Sequence, residues 1–192
     1  MLLLIIGLIL FLGMHSVRVY ADDWRAEQIN KRGQNIWLGF YSLVSIIGFL
    51  LIIWGYGDAR LETQILWHPP VWTKHLAALL TLPAFILFVA AYAPGSKIKA
   101  TLGHPMILGA KLWALAHLLS NGALVDVILF GSFLLWAILD FRTSRRRDKA
   151  AAATYEFISY SRDAIAIVVG IVAWAGFALY LHGMWIGVKP FG

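Results

Sequence analysis

The sequence contains no cysteine, and only 14% of its 192 residues are charged. Without cysteine the chain cannot form disulfide bonds, Cys-ligated zinc sites or iron–sulfur clusters. The low charge content excludes a soluble enzyme and a disordered segment, because a soluble domain has about a quarter charged residues. The short alternating segments of a membrane β-barrel are also missing. What the chain has instead is hydrophobic residues, 60% of the total, and a mean hydropathy of +0.75.

The hydrophobic residues form six long segments. A helix of ~20 apolar residues can cross the ~30 Å hydrocarbon layer of a bilayer. The segments cover residues 1–20, 36–56, 71–92, 105–121, 124–141 and 164–187. No linker long enough to separate domains lies between them. The predicted fold is therefore all-α: a polytopic membrane bundle of six transmembrane helices in one transmembrane domain, residues 1–192.

The basic residues indicate how the bundle is oriented. Lys and Arg number 16 against 10 Asp and Glu, a net charge of +6. Most of them lie in loops, so we predict that they orient the chain in the lipid bilayer, and we expect no nucleic-acid partner. Twelve follow the first, third and fifth segments: Arg18, Arg25, Lys31, Arg32, Lys97, Lys99, Arg142, Arg145, Arg146, Arg147, Lys149 and Arg162. The opposite side has only Arg60, Lys74 and Lys189. The positive-inside rule then places the twelve in the cytoplasm and both termini on the periplasmic or exterior side.

The first segment also has features of a secretory signal, because an apolar stretch precedes the small residue Ala21. Its arginines follow the apolar stretch, however, and no positive residue precedes it, which is not the order found in a signal peptide. We therefore predict that the first segment is an uncleaved span.

A few ionisable side chains fall within the predicted spans or at their ends. Such groups are costly in hydrocarbon, and each is a functional hypothesis. They are His15, His75, His104, Lys111, His117 and Asp126. His68 and His182 lie at the outer edge, where we expect them to be interfacial or solvated.

The fourth segment places a histidine beside small residues. Ala110, Ala114, His117 and Asn121 share one helical face. The small residues leave room for a flat, bulky group next to the histidine, but they equally allow another helix to pack closely. The face alone does not decide between these two interpretations.

Histidines on several spans raise the hypothesis of metal or haem ligation, against that of interhelical hydrogen bonds. Bis-histidine haem b is attractive because it needs no cysteine. At 1.5 Å per residue, His15 lies roughly 21 Å from the outer side, His117 roughly 12 Å and His75 roughly 6 Å. These depths leave open which two histidines would form a pair.

Several residue groups resemble the NnrU family of bacterial membrane proteins and the related zeta-carotene cis–trans isomerases. The resemblance covers nearly the whole chain and rests on these residues: Met14–Ser16, Lys74–Leu76, His104-Pro105, Gly109, Trp113 and Ala116-His117. It implies a location in a membrane, in bacteria the inner membrane. It also implies a role in nitric oxide metabolism and denitrification, or a haem-dependent isomerase activity, with a small gas or a hydrophobic polyene as the ligand.

The resemblance further implies a haem b site. The isomerase binds its haem through a His-Ser motif on an early span and a Leu-Ala-His motif after a His-Pro, and these motifs match His15 and His117. Ala114 stands where the isomerase has a cysteine, so a thiolate ligand is not available. Trp113 belongs to the same candidate cofactor site.

Four further residues are candidates around that haem. His75 is either a structural polar contact or a competing ligand. His104 is expected to cap or hydrogen-bond at the cytoplasmic end, with ligation as the alternative. Lys111 and Arg18 are candidate partners of the haem propionates on the basis of charge.

Three other functions remain open. His104-Pro105 with Gly109 also resembles a motif of membrane methyltransferases, but Gly103 replaces the expected arginine, and only Asp148 and Glu156 stand in for a pair of glutamates. We interpret this second resemblance as shared ancestry of the bundle. A non-enzymatic haem sensor or assembly factor, and a haem-free membrane scaffold, are the remaining alternatives.

Overall fold

Helices form the fold of residues 1–191, the part of the chain that this computed structural model describes. Those residues contain α1 (Leu2–Tyr20), α2 (Asp22–Arg32), α3 (Gln34–Ala59), α4 (Val71–Ala91), α5 (Lys97–Leu102), α6 (Pro105–Ser120), α7 (Leu124–Ala150), α8 (Tyr160–Gly176) and α9 (His182–Ile186). A 3₁₀ turn, Arg60–Glu62, extends α3, and a π-helical turn, Phe177–Leu181, joins α8 to α9. Within the described residues the only extended pairing is one isolated bridge. The prediction of an all-α fold is confirmed.

Five helical segments within residues 1–191 are long and apolar enough to cross a bilayer. They are Leu2–Tyr20, Gln34–Glu62, Val71–Ala91, Leu124–Ala150 and Tyr160–Ile186, and each coincides with a predicted span. The fourth predicted span is also helical, but α6 has only 16 residues. Its rise of about 24 Å is less than the ~30 Å hydrocarbon layer. Five of the six predicted spans therefore have full membrane-crossing length, and α6 is a shorter apolar helix.

The five long helices and α6 pack in a row whose order differs from their order in the chain. Along the row they are α3, α1, α7, α6, α4 and α8. We name the two ends of this bundle by their contents. The basic end is where α1 and α7 end, and the termini end is where α1 begins and α9 ends. Two connections cross between distant positions of the row: residues 63–70 join α3 to α4 at the termini end, and residues 151–159 join α7 to α8 at the basic end.

Glycines bring α1 and α3 into backbone contact. A Cβ atom added at Gly7 would lie 2.6 Å from the backbone N of Ile52, and one added at Gly55 would lie 2.2 Å from the backbone N of Leu4. No side chain fits at such distances. Small residues at a membrane helix interface allow this close packing, and dispersion contacts then hold the two helices together.

Glycines also set the contacts of α4 with its two neighbours. A Cβ atom at Gly109 of α6 would lie 2.9 Å from the carbonyl oxygen of Ala84. A Cβ atom at Gly170 of α8 would lie 2.6 Å from the Cα atom of Ile86. Both contacts are near the middle of α4, so α6 and α8 pack along its length on two sides.

The crossing loop at the termini end covers the junction between α6 and α7. The carbonyl oxygen of Gly122 accepts from the N–H of Leu66 at 2.8 Å, and the N–H of Leu124 donates to the carbonyl oxygen of Gln64 at 2.9 Å. A Cβ atom at Gly122 would lie 1.9 Å from the carbonyl oxygen of Trp67. Glycine is therefore required at the end of α6, because the loop backbone lies directly against it.

The connection from α4 to α6 at the basic end is held by a buried carboxylate. Asp163, at the start of α8, accepts from the backbone N–H groups of Lys97 and Ile98, each at 2.8 Å. These N–H groups begin the short helix α5 and have no partner within that helix. The N–H of Ile158 donates to the carbonyl oxygen of Gly95 at 2.8 Å. The connection from α4 to α6 is thus fixed to the start of α8.

The α1–α3 contact predicts a difference between two glycines of the same helix. Gly55→Ala should lower the free energy of unfolding by about 1–3 kcal/mol, because its Cβ has no space against α1. Gly57→Ala is the matched control, since nothing lies within 4 Å of its Cβ position. Thermal unfolding of the purified protein in detergent measures both. Equal melting temperatures for the two variants would contradict the backbone contact at Gly55.

Candidate functional site

A cavity of about 490 Å³ lies on one face of the row of helices. Residues of α1, α3, α4, α6, α7 and the segment from Trp174 to Phe191 line it, and most of them are aromatic or small apolar residues. The volume falls in the range of ~300–1,000 Å³ that is typical of ligand pockets. The cavity can therefore hold a flat apolar ligand in contact with several helices.

His15 and His117 both line this cavity, one from α1 and the other from α6. The two helices are separated in the row by α7. The histidines are therefore brought together by the curvature of the row around the cavity, and not by direct contact of their helices.

Each of the two histidines has one ring nitrogen bonded within its own helix. Nδ1 of His15 lies 2.7 Å from the carbonyl oxygen of Phe11, and Nδ1 of His117 lies 2.8 Å from the carbonyl oxygen of Trp113. A carbonyl oxygen only accepts hydrogen bonds, so each Nδ1 carries the proton and each Nε2 carries a lone pair in the neutral ring. A second hydrogen bond of this kind orients a histidine that ligates a metal.

Aromatic rings connect the two histidines along the cavity wall. The ring centroids are 4.2 Å apart for His15 and Phe11, and 5.8 Å apart for Phe11 and Phe133. The ring centroids of Phe133 and Trp113 are 5.4 Å apart, and those of Trp113 and His117 are 5.1 Å apart. These rings form an apolar wall between the two imidazoles.

The histidines lie at different depths. The ring of His15 is 5.9 Å from that of Trp136, and the ring of His117 is 4.5 Å from that of Phe130, both on α7. Phe130 and Trp136 are six positions apart on α7, which corresponds to about 9 Å along the helix axis. This agrees with the difference between the two depths predicted from the sequence.

The residues predicted to share one face of α6 have two kinds of neighbour: some face the cavity, and one packs against another helix. Ala110, His117 and Asn121 line the cavity. Ala114 is fully buried and belongs to a core cluster with Val125 of α7. The small residues of α6 thus serve both the cavity and close helix packing.

Of the other candidates, Trp113 lines the cavity, whereas His75, Lys111 and Arg18 do not. His75 is exposed on α4, and its neighbour Lys74 faces the cavity instead. The ammonium group of Lys111 lies 4.7 Å from the ring centroid of Phe141. The cavity therefore brings together His15, Trp113 and His117 but not the remaining candidates.

His104 takes part in a separate cluster at the basic end. Its Nε2 lies 2.8 Å from a carboxylate oxygen of Asp148, and the hydroxyl of Tyr155 donates to the same carboxylate at 3.1 Å. Burial and the neighbouring Asp148 carboxylate raise the pKa of Tyr155. The side chain of His104 makes no capping bond to α6. Of the two roles expected of His104, capping and hydrogen bonding, the structure shows hydrogen bonding.

His182, which was expected to be interfacial or solvated, lines the cavity. The ring of His182 is 6.5 Å from that of His117, with an angle of 20° between their planes. Its Nδ1 lies 2.6 Å from the carbonyl oxygen of Val188, because the chain after α9 folds back. Hydropathy located His182 near a span end, but no sequence signal showed that residues 187–191 would return to the cavity.

The described residues contain no group of three or more His, Cys, Asp or Glu that could hold a metal ion. They do contain buried polar atoms without a partner, one of them the indole N–H of Trp136, which lines the cavity. A buried unpaired N–H is uncommon and calls for an explanation. It leaves a hydrogen-bond donor beside His15.

Comparison with known proteins gives one match. A family model described as "NnrU protein" matches residues 3–190, which is nearly the whole chain. No curated protein and no solved structure matches the chain.

The His104 cluster predicts energetic coupling across the basic end. His104→Ala and Asp148→Asn should each lower the free energy of unfolding by about 1–2 kcal/mol, and their effects should not add, because each removes the other's partner. Unfolding of the single and double variants in detergent measures the coupling. Glu156→Gln, an exposed carboxylate in the same loop, is the control and should combine additively with His104→Ala. Additive effects of the first pair would refute the interaction.

Proposed function

The chain belongs to the NnrU family, and from this premise we propose that it is a six-span membrane protein that binds haem b with His15 and His117 as axial ligands. The observation that carries the proposal is that both histidines line one cavity with Nδ1 bonded to a backbone carbonyl. Each Nε2 is therefore the nitrogen that remains for a metal.

The cavity residues fit a haem better than a bare metal ion. A protein zinc site takes three or four side-chain ligands, and residues 1–191 contain no such group. A haem iron needs only axial ligands from the protein, because the porphyrin supplies the others. The aromatic walls suit a flat macrocycle, and Trp136 supplies an unused N–H beside it.

A bound haem would supply redox chemistry, and release of one of its two histidines would open a site for a small gas. The chain's own residues would hold it: His15 and His117 would be the ligands, and Phe11, Phe133 and Trp113 would form an apolar wall beside it. We propose that the protein acts in nitric oxide metabolism linked to denitrification, or in haem-dependent cis–trans isomerisation of a hydrophobic polyene. The apolar cavity suits either class of ligand.

The short helix α6 is proposed as the sixth span. Its first residues pack at the basic end through His104, and its last residues lie under the crossing loop at Gly122. Both loops cover its ends, so α6 can pass between the two sides although it is shorter than its neighbours. With the twelve basic loop residues in the cytoplasm, both termini face the periplasm, and the membrane is the bacterial inner membrane.

Haem binding is tested by the absorption spectrum. Protein purified after haem-replete expression should show a Soret band, and His15→Ala and His117→Ala should each abolish or shift it. His75→Ala should leave it unchanged, since that side chain is exposed outside the cavity. Protein that contains no haem would overturn the proposal. A spectrum that changes only in His75→Ala would show that the ligand pair is wrong. Assays of nitric oxide binding and of cis-polyene turnover then separate the two activities.

The topology is tested with single cysteines, because the natural chain has none. Thr101→Cys, Ala151→Cys and Glu62→Cys place thiols at exposed positions. With six spans, a membrane-impermeant maleimide should label positions 101 and 151 only in inverted vesicles, and position 62 only in intact spheroplasts. Labelling of positions 101 and 151 from opposite sides would show that α6 does not cross the membrane.

A further inference from the structure

Two lysines line the cavity, Lys74 at the start of α4 and Lys189 after α9. No Asp or Glu of residues 1–191 lines it with them. Within the described chain, neither ammonium group has a salt bridge or a hydrogen bond, although other basic residues do. Lys99, for example, donates to the carbonyl oxygen of Ala91 at 2.7 Å. Among residues 1–191, the cavity therefore has a net positive lining and no acidic side chain beside it.

These lysines lie on the side of the bundle that has few basic residues. Three Lys or Arg residues occur in the segments at the termini end, and two of the three line the cavity. The third, Arg60, donates to the carbonyl oxygen of Ile186 at 2.6 Å. Basic residues are disfavoured in short loops on the outer side. Their concentration at one cavity indicates a local use for positive charge.

Helix packing places Lys74 close to His182 in depth. α4 and α8 are antiparallel, with Ile86 against Gly170 and the indole N–H of Trp174 donating to the hydroxyl of Thr81 at 3.0 Å. About two turns further toward the termini end, Lys74 is level with His182.

Lys189 reaches the same region from the returning segment. It follows Gly187, whose φ of 76° allows the chain to reverse, and Val188, whose carbonyl oxygen is bonded to His182. Its side chain lies against Gly183, where an added Cβ would be 3.2 Å from the Lys189 Cγ atom. The two lysines thus line one cavity from α4 and from the segment after α9, and we call this pair the lysine mouth.

We propose that the lysine mouth binds carboxylate groups of an amphipathic ligand whose apolar body fills the aromatic cavity. An ammonium group attracts a carboxylate most where the surroundings contain little water. The positive end of the α4 dipole adds to the charge of Lys74. If haem b is that ligand, which rests on the proposed function, its two propionates lie at the lysine mouth. A long-chain fatty acid is the other source of the same chemistry.

The experiment compares haem b with its dimethyl ester, in which both carboxylates are neutral. Dissociation constants are measured by absorption titration of the detergent-purified full chain. The wild type should bind haem about tenfold more tightly than the ester, because both lysines are exposed and two exposed ion pairs contribute a factor of this size. In Lys74→Met/Lys189→Met this ratio should fall to about one. Each dissociation constant is corrected for the measured partitioning of that ligand into the detergent, so that the ratio reports binding to the protein alone.

Two further variants and one further ligand complete the test. Lys74→Arg/Lys189→Arg should retain the ratio, because it retains both charges. Lys111→Met, a lysine outside the cavity, should also leave it unchanged. A wild-type ratio near one would overturn the lysine mouth while leaving haem binding intact. If neither porphyrin binds but palmitate binds in a lysine-dependent way, the lysine mouth stands and the proposed function fails.

Discussion

The structure depends on one constraint: in hydrocarbon, each polar group needs a partner from the protein, because no water is available. The phenolic hydroxyl of Tyr56 donates to Asp126 at 2.7 Å, and the indole N–H of Trp174 donates to Thr81. His15 and His117 each bond to a carbonyl one turn earlier. The two histidine bonds use backbone carbonyl groups, so they need no further polar side chain. The indole N–H of Trp136, which is buried without a partner among residues 1–191, is therefore a group that a ligand of the cavity could satisfy.

The helices themselves were predictable, because a membrane span is defined by local composition. The predicted boundaries of the fourth segment, 105 and 121, are within one residue of α6, since Pro105 suits the first turn of a helix. The order of the helices in the row was not predictable. It depends on where glycines such as Gly55 and Gly170 permit backbone contact, and no local pattern shows which helix will lie against them.

The site was predictable in part. Residues matching a family motif led to His15 and His117, and both line the cavity. His75 was a candidate because it is ionisable and lies within a span, but adjacent helical residues point about 100° apart, and it is Lys74 that faces the cavity. His182 was missed because its position depends on the chain folding back after α9, a tertiary feature with no signature in hydropathy.

The connection from α3 to α4 joins the first and fifth helices of the row. It consists of residues 63–70, which can reach no farther than roughly 29 Å even when fully extended. It is also hydrogen-bonded to the junction between α6 and α7. The spacing of the helices at the termini end is therefore limited by chain length as well as by packing. A ligand that widened the cavity at the termini end would therefore have to stretch this connection or break its hydrogen bonds to the α6–α7 junction.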